Sequence, residues 1–159
     1  MARVTVRIRD RNRIPELRRV LDELDSYALE VGVFSEDDNS NPSYVMIASV
    51  HEFGVTIQKE KGSIVIPERS FIRTTFDEKN AEWVEFVRNQ LKLVITFKIE
   101  AKMLWERLGA KIVSDIQEKI TDLDTPPNAP STIAKKGSSN PLIDTGGLRS
   151  RITYKVVRR

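Results

Sequence analysis

The chain predicts an α+β fold: a small antiparallel or mixed β-sheet packed on one side by amphipathic helices, with a long extended arm before the last strand. Three observations carry this. Short runs of alternating or strand-forming residues stand near both ends, and apolar residues recur at three- and four-residue spacing through the middle. A stretch rich in proline, serine and glycine, Thr125 to Ser150, then breaks the pattern before the last run. At 159 residues the simplest organisation is one domain, 1–159, with the arm at about 124–148.

Val4, Val6 and Ile8 alternate with Thr5, Arg7 and Arg9, the signature of a strand with one buried face. Ile14, Leu17, Leu21 and Leu24 keep helical spacing behind Pro15, which a helix tolerates in its first turn. Ala28 to Phe34 is a second, more central strand, closed by the polar loop Ser35 to Pro42. From Ser43 a helix places Met46, Ile47, Val50 and Phe53 on one face, and Gly54 ends it. Val55 to Ile66 is a hairpin with Lys61-Gly62 as its turn. Pro67-Glu68-Arg69 starts a helix carrying Phe71, Ile72 and Phe76, which breaks at Asp77 to Lys79. Trp83, Phe86, Val87, Leu91 and Val94 continue at helical spacing, and Thr96-Phe97 mark a joint. Met103, Leu104, Leu108, Ile112, Ile116 and Ile120 then form a clear stripe. Phe34, Phe53, Phe71 and the Leu104 to Ile120 part of this stripe are the predicted core. Pro126, Pro127 and Pro130 end the helix, and a last strand runs from about Arg151 to Val157.

Composition narrows the function classes. With no cysteine there is no disulfide framework, thiolate zinc site or cysteine nucleophile, in keeping with intracellular assembly. Charges break every apolar run at the amino terminus, so no signal peptide and no membrane span are expected. A net charge of +3 is mild.

Three stretches imitate catalytic motifs. Leu142-Ile143-Asp144-Thr145-Gly146 is similar to the aspartic-protease loop, yet too little chain follows it, and Asp144 with Gly146-Gly147 suits a turn. His51-Glu52 begins a helical zinc motif whose second histidine is replaced by Val55, and no other histidine is present. Lys135-Lys136-Gly137-Ser138-Ser139 lacks the glycine spacing of a phosphate loop. No catalytic residue, metal ligand or cofactor is therefore expected.

Taken together, the pieces resemble something else. They are Val31-Gly32-Val33-Phe34, Val50-His51-Glu52-Phe53-Gly54, Ile66-Pro67-Glu68-Arg69-Ser70-Phe71-Ile72-Arg73, Pro127-Asn128-Ala129-Pro130-Ser131-Thr132, Lys136-Gly137 and Pro141-Leu142-Ile143-Asp144-Thr145-Gly146-Gly147-Leu148-Arg149. In that order they resemble the tailed-bacteriophage virion-morphogenesis or minor-tail-component family, whose members act as tail-completion or head-tail joining (neck) proteins. One departure is Gly147, where a polar residue is expected. The resemblance implies a structural virion protein at the neck, assembled in the bacterial cytoplasm without enzymatic activity. It implies a homo-oligomeric, hexameric ring that meets head-tail connector and tail-tube or terminator proteins. DNA would pass through its channel without sequence-specific binding.

Ile133, Leu142, Ile143 and Leu148 are spaced apolar residues in the arm, suited to anchoring it on a neighbouring subunit. The alternative is that the arm folds back over its own sheet. A second function class is a nucleic-acid-binding regulator using Arg3, Arg7, Arg9, Arg11, Arg13, Arg18 and Arg19 with Arg149, Arg151, Arg158 and Arg159. No recognisable DNA-binding motif accompanies those arginines.

Overall fold

The computed structural model describes residues 12–60 and 62–159, so the predicted strand at Val4 to Arg9 and the arginines 3, 7, 9 and 11 lie outside the described residues. The order is α1 (Ile14–Asp25), β1 (Tyr27–Gly32), a 3₁₀ turn at Ser35–Asp37, α2 (Tyr44–Phe53), β2 (Val55–Lys59) and β3 (Gly62–Ile66). Then come α3 (Phe71–Ile95), α4 (Ala101–Asp122), α5 (Pro130–Lys136), α6 (Gly147–Arg151) and β4 (Thr153–Arg158). The fold is α+β.

The first and last strands among the described residues meet in one sheet. β1 pairs antiparallel with β4, from Tyr27 opposite Arg158 to Gly32 opposite Thr153. Among the described residues β1 has β4 as its one strand neighbour, and the other strand expected in this sheet lies outside the described residues. Helix α4 lies across this sheet. The approach is close because residue 109 is glycine: a Cβ there would stand 2.4 Å from the Tyr154 ring. Leu104, Leu108, Ile116 and Ile120 of the predicted stripe are buried, whereas Met103 turns to solvent. Phe71, Ile116, Ile120, Leu142, Leu148 and Ile152 form the main core. A second cluster, Val94, Ala101 and Leu104 with Val20 and Leu24, fixes α1 against the α3–α4 corner.

α3 and α4 form a hairpin of helices. Phe97 has φ 59 at the corner, where the expected joint falls. The expected break at Asp77 to Lys79 is absent, because these charges lie on an outer face that helical geometry tolerates. Lys79 pairs with Glu82 within the helix, and Lys119 of α4 reaches Glu78 at 2.7 Å. Trp83 is buried between the helices and donates to Asp115 Oδ2 at 2.6 Å.

Helix α2 turns a different face inward from the one its apolar spacing suggests. Ala48 and Glu52 are buried, while Met46 and Phe53 are 53% and 64% exposed. Phe53 is thus removed from the predicted core, and Phe34 is half-buried beneath Lys155. The physical reason is Glu52, whose buried carboxylate has fixed partners on α3 and so sets the rotation of α2.

Among the described residues strands β2 and β3 pair only with each other, Val55 opposite Ile66 and Ile57 opposite Ile64, and Gly62 of the expected Lys61-Gly62 turn is the first residue of β3. Ile57, Ile64 and Val65 remain exposed.

Candidate functional site: the clasp around Glu52 and Arg69

A helix start leaves backbone N–H groups without partners, and Ser70, the residue before α3, gives no side-chain cap. Glu52 on α2 supplies it across the chain. Its Oε2 accepts from the Ile72 amide and its Oε1 from the Arg73 amide, each at 2.9 Å. A carboxylate here also meets the positive end of the helix dipole. Arg73 Nε donates to the same Oε1 at 3.0 Å, and Nη2 reaches Glu68 at 2.8 Å. Its guanidinium carbon lies 4.7 Å from the centre of the Phe53 ring. These bonds to Glu52 and the nearby acid charges raise the Arg73 pKa above its ordinary value.

Gly54 lets the returning chain lie against the end of α2. It has φ 69, and a Cβ would stand 2.9 Å from the Glu68 amide nitrogen. The Arg69 amide then donates to the His51 carbonyl at 2.6 Å. Pro67 to Ser70 is a non-helical bridge, not the first turn of a helix as its sequence suggests, because this hydrogen bond ties it to α2.

Arg69 is 4% exposed and holds the proline-rich connection. Nε donates to the Pro126 carbonyl at 2.8 Å, and Nη2 to the Pro127 carbonyl at 3.0 Å and Asn128 Oδ1 at 3.4 Å. Prolines cannot use their own amides, so their carbonyls are natural acceptors for a fork of donors. Burial lowers the Arg69 pKa. Nη1 stands 3.5 Å from His51 Nδ1. Burial first, then the charges of Arg69 and Lys136, push the His51 pKa down to about 4, so its imidazole is neutral at neutral pH.

The arm is not extended throughout. Pro130 opens α5, and Gly137 with φ 72 closes it, so residues that suggest turn chemistry are a helix start and stop. Ile133 lies on this short helix, half-buried. Asn140 fastens the segment beyond it. Its Nδ2 donates to the Thr121 carbonyl at 2.8 Å, where α4 runs out of internal partners. Its Oδ1 accepts from the Leu142 and Ile143 amides, each at 2.9 Å. Lys136 donates to the Asn140 and Pro141 carbonyls.

Leu142 and Leu148 are buried in the chain's own core, and Ile143 packs against it. Their expected role as anchors on a neighbour is therefore corrected: the arm folds back, since the core formed by α2, α3 and α4 offers these side chains an apolar site at once. Leu142→Asp is accordingly expected to destabilise the free domain by at least about 3 kcal/mol, through lost burial and an unpaired carboxylate. Circular dichroism during urea unfolding measures this, and an unchanged midpoint would count against it.

Asp144 and Thr145 are exposed, and Gly146 with φ 81 starts α6. Gly147 has a packing reason, because a Cβ there would lie 1.9 Å from the Tyr44 hydroxyl. Tyr44, His51, Lys136, Asp144 and Leu148 line an open cleft of about 310 Å³. Thus His51, Glu52, Gly54, Pro67, Arg69 and Phe71 converge on one structural joint, while Phe53 and Asp144 to Gly146 lie at its margins. Comparisons with protein-family models, curated proteins and solved structures find no match. Among the described residues no group of three or more histidine and acidic side chains is placed to hold a metal. No helix among them is long and apolar enough to cross a membrane.

Proposed function

We propose that the protein is a structural virion protein of a tailed bacteriophage, a tail-completion or head-tail joining subunit that works as a homo-oligomeric ring around the DNA channel at the neck. The supporting observation is the convergence of the resembling stretches on the clasp. Glu52 commits both carboxylate oxygens to α3, and Arg69 commits its fork to the Pro126–Asn128 connection. Such groups hold a framework; they are not free to transfer protons or attack a substrate. From that framework projects the exposed β2–β3 hairpin, a surface suited to assembly. In this reading the protein is not an enzyme, and its partners are further copies of itself with connector and tail-tube or terminator proteins. The ring is hexameric, and DNA passes through it without sequence-specific contacts.

Native mass measurement of the purified chain and antibody labelling of the virion test this reading. The expected results are a closed multimer and label confined to the head-tail junction. Virions complete without the protein would overturn it.

A further inference from the structure

The cleft of about 310 Å³ beside the clasp is bordered by positive charge that the chain itself does not neutralise. Lys136 lines it, and its ammonium donates to the Asn140 and Pro141 carbonyls. Arg69 stands against His51, another residue of the lining, and its remaining partners are two carbonyls and an asparagine oxygen. Neither cation forms an ion pair among the described residues. Burial lowers the pKa of both, the direction expected of charges withdrawn from water with no carboxylate in contact. Of the residues lining the cleft only Asp144 is acidic, and it is exposed.

The same lining carries uncommitted donors. A guanidinium can only donate, so His51 Nδ1, 3.5 Å from Arg69 Nη1, is the acceptor, and the proton of the neutral ring sits on Nε2. Nε2 has no hydrogen-bond partner among the described residues, and neither has the Tyr44 hydroxyl beside Gly147. Lys136 keeps a third proton beyond its two carbonyl bonds. Ile47, Leu142 and Leu148 supply the apolar part of the wall.

We infer that this cleft binds a small organic acid, its carboxylate held by His51 Nε2, Lys136 and the Tyr44 hydroxyl and its apolar body against Ile47, Leu142 and Leu148. The volume fits the lower end of small-molecule sites, and an apolar wall with a few converging polar groups is their usual construction. Asp144 sets the charge of the ligand. One negative charge answers the cations, whereas the second charge of a phosphate dianion would face the Asp144 carboxylate, whose field already reaches Lys136. Binding here does not depend on assembly into a ring.

The chain has one histidine, so its imidazole C–H resonances report on the cleft directly. The probe is benzoate, with benzyl alcohol as its neutral counterpart and inorganic phosphate as the dianion, each titrated into the full chain at pH 7. Benzoate is expected to shift the His51 resonances saturably, with a dissociation constant in the millimolar range or below, and the other two to bind at least about tenfold more weakly. Asp144→Asn removes a repelling charge at an exposed position and is expected to tighten benzoate binding about threefold. Tyr44→Phe keeps the ring, loses the hydroxyl and is expected to weaken it about threefold to tenfold. No saturable shift with benzoate would overturn the site. Benzyl alcohol binding as tightly as benzoate would overturn carboxylate recognition, and phosphate binding as tightly would overturn the preference for a single charge. Benzoate binding unchanged in both variants would place the acid elsewhere and remove the cleft from the account.

Discussion

Glu52→Ala is expected to lower the stability of the free domain by about 3–5 kcal/mol, a large share of what a chain of this size possesses. The wild-type carboxylate is 4% exposed and accepts from two α3 amides and from Arg73. Truncation leaves both amides unpartnered beneath α2, and each buried orphan donor costs about 1–3 kcal/mol. Arg73 contributes less, because it is half-exposed and keeps Glu68. Glu52→Gln keeps an acceptor but loses the charge opposite the helix dipole, so its effect should be about half as large. Urea unfolding of the three proteins measures this order. A Glu52→Ala loss below about 1 kcal/mol would mean that α2 can rotate to bury its Met46–Phe53 face and dispense with the cap.

That possible rotation shows where sequence reasoning ended. The α4 stripe was legible because its apolar side chains repeat on one face over many turns, and burial follows repetition. The β2–β3 hairpin was legible from strand-forming residues around polar ones, and the joint near Phe97 from the interruption in helical spacing. On α2 the same rule failed. Apolar residues occur almost all round the helix, so periodicity could not choose a face, and one long-range carboxylate chose it. Asn140 shows the same limit: an asparagine among serines and prolines suggests turn chemistry, and nothing local shows that it caps α4 some twenty positions earlier. His51, Glu52, Gly54 and Arg69 could be singled out as a set, but their roles depend on partners brought together only by the fold.

Arg69→Met is expected to cost about 3 kcal/mol and to alter the pH dependence of stability. Methionine can fill much of the space, but the Pro126 and Pro127 carbonyls and Asn128 lose their donors. The pH effect runs through His51. Its folded pKa is about 4, below the ordinary 6.5, so the folded state holds the imidazole neutral while the unfolded chain protonates it first. Its contribution is fully present above pH 6.5 and is lost as pH falls toward 4. The pKa difference corresponds to at most about 3 kcal/mol, reduced because the ring is only partly buried. Burial is the leading cause and persists in Arg69→Met, whereas the repulsion from Arg69 disappears. The mutant should therefore start from lower stability at pH 7 and lose less of it between pH 6.5 and 4. His51→Gln provides the control, removing this contribution while carboxylates elsewhere continue to titrate. Measured unfolding free energies across that interval decide the matter. Parallel curves for wild type and His51→Gln would remove the histidine from the account, and an unchanged midpoint in Arg69→Met at pH 7 would show that the proline connection holds without its guanidinium.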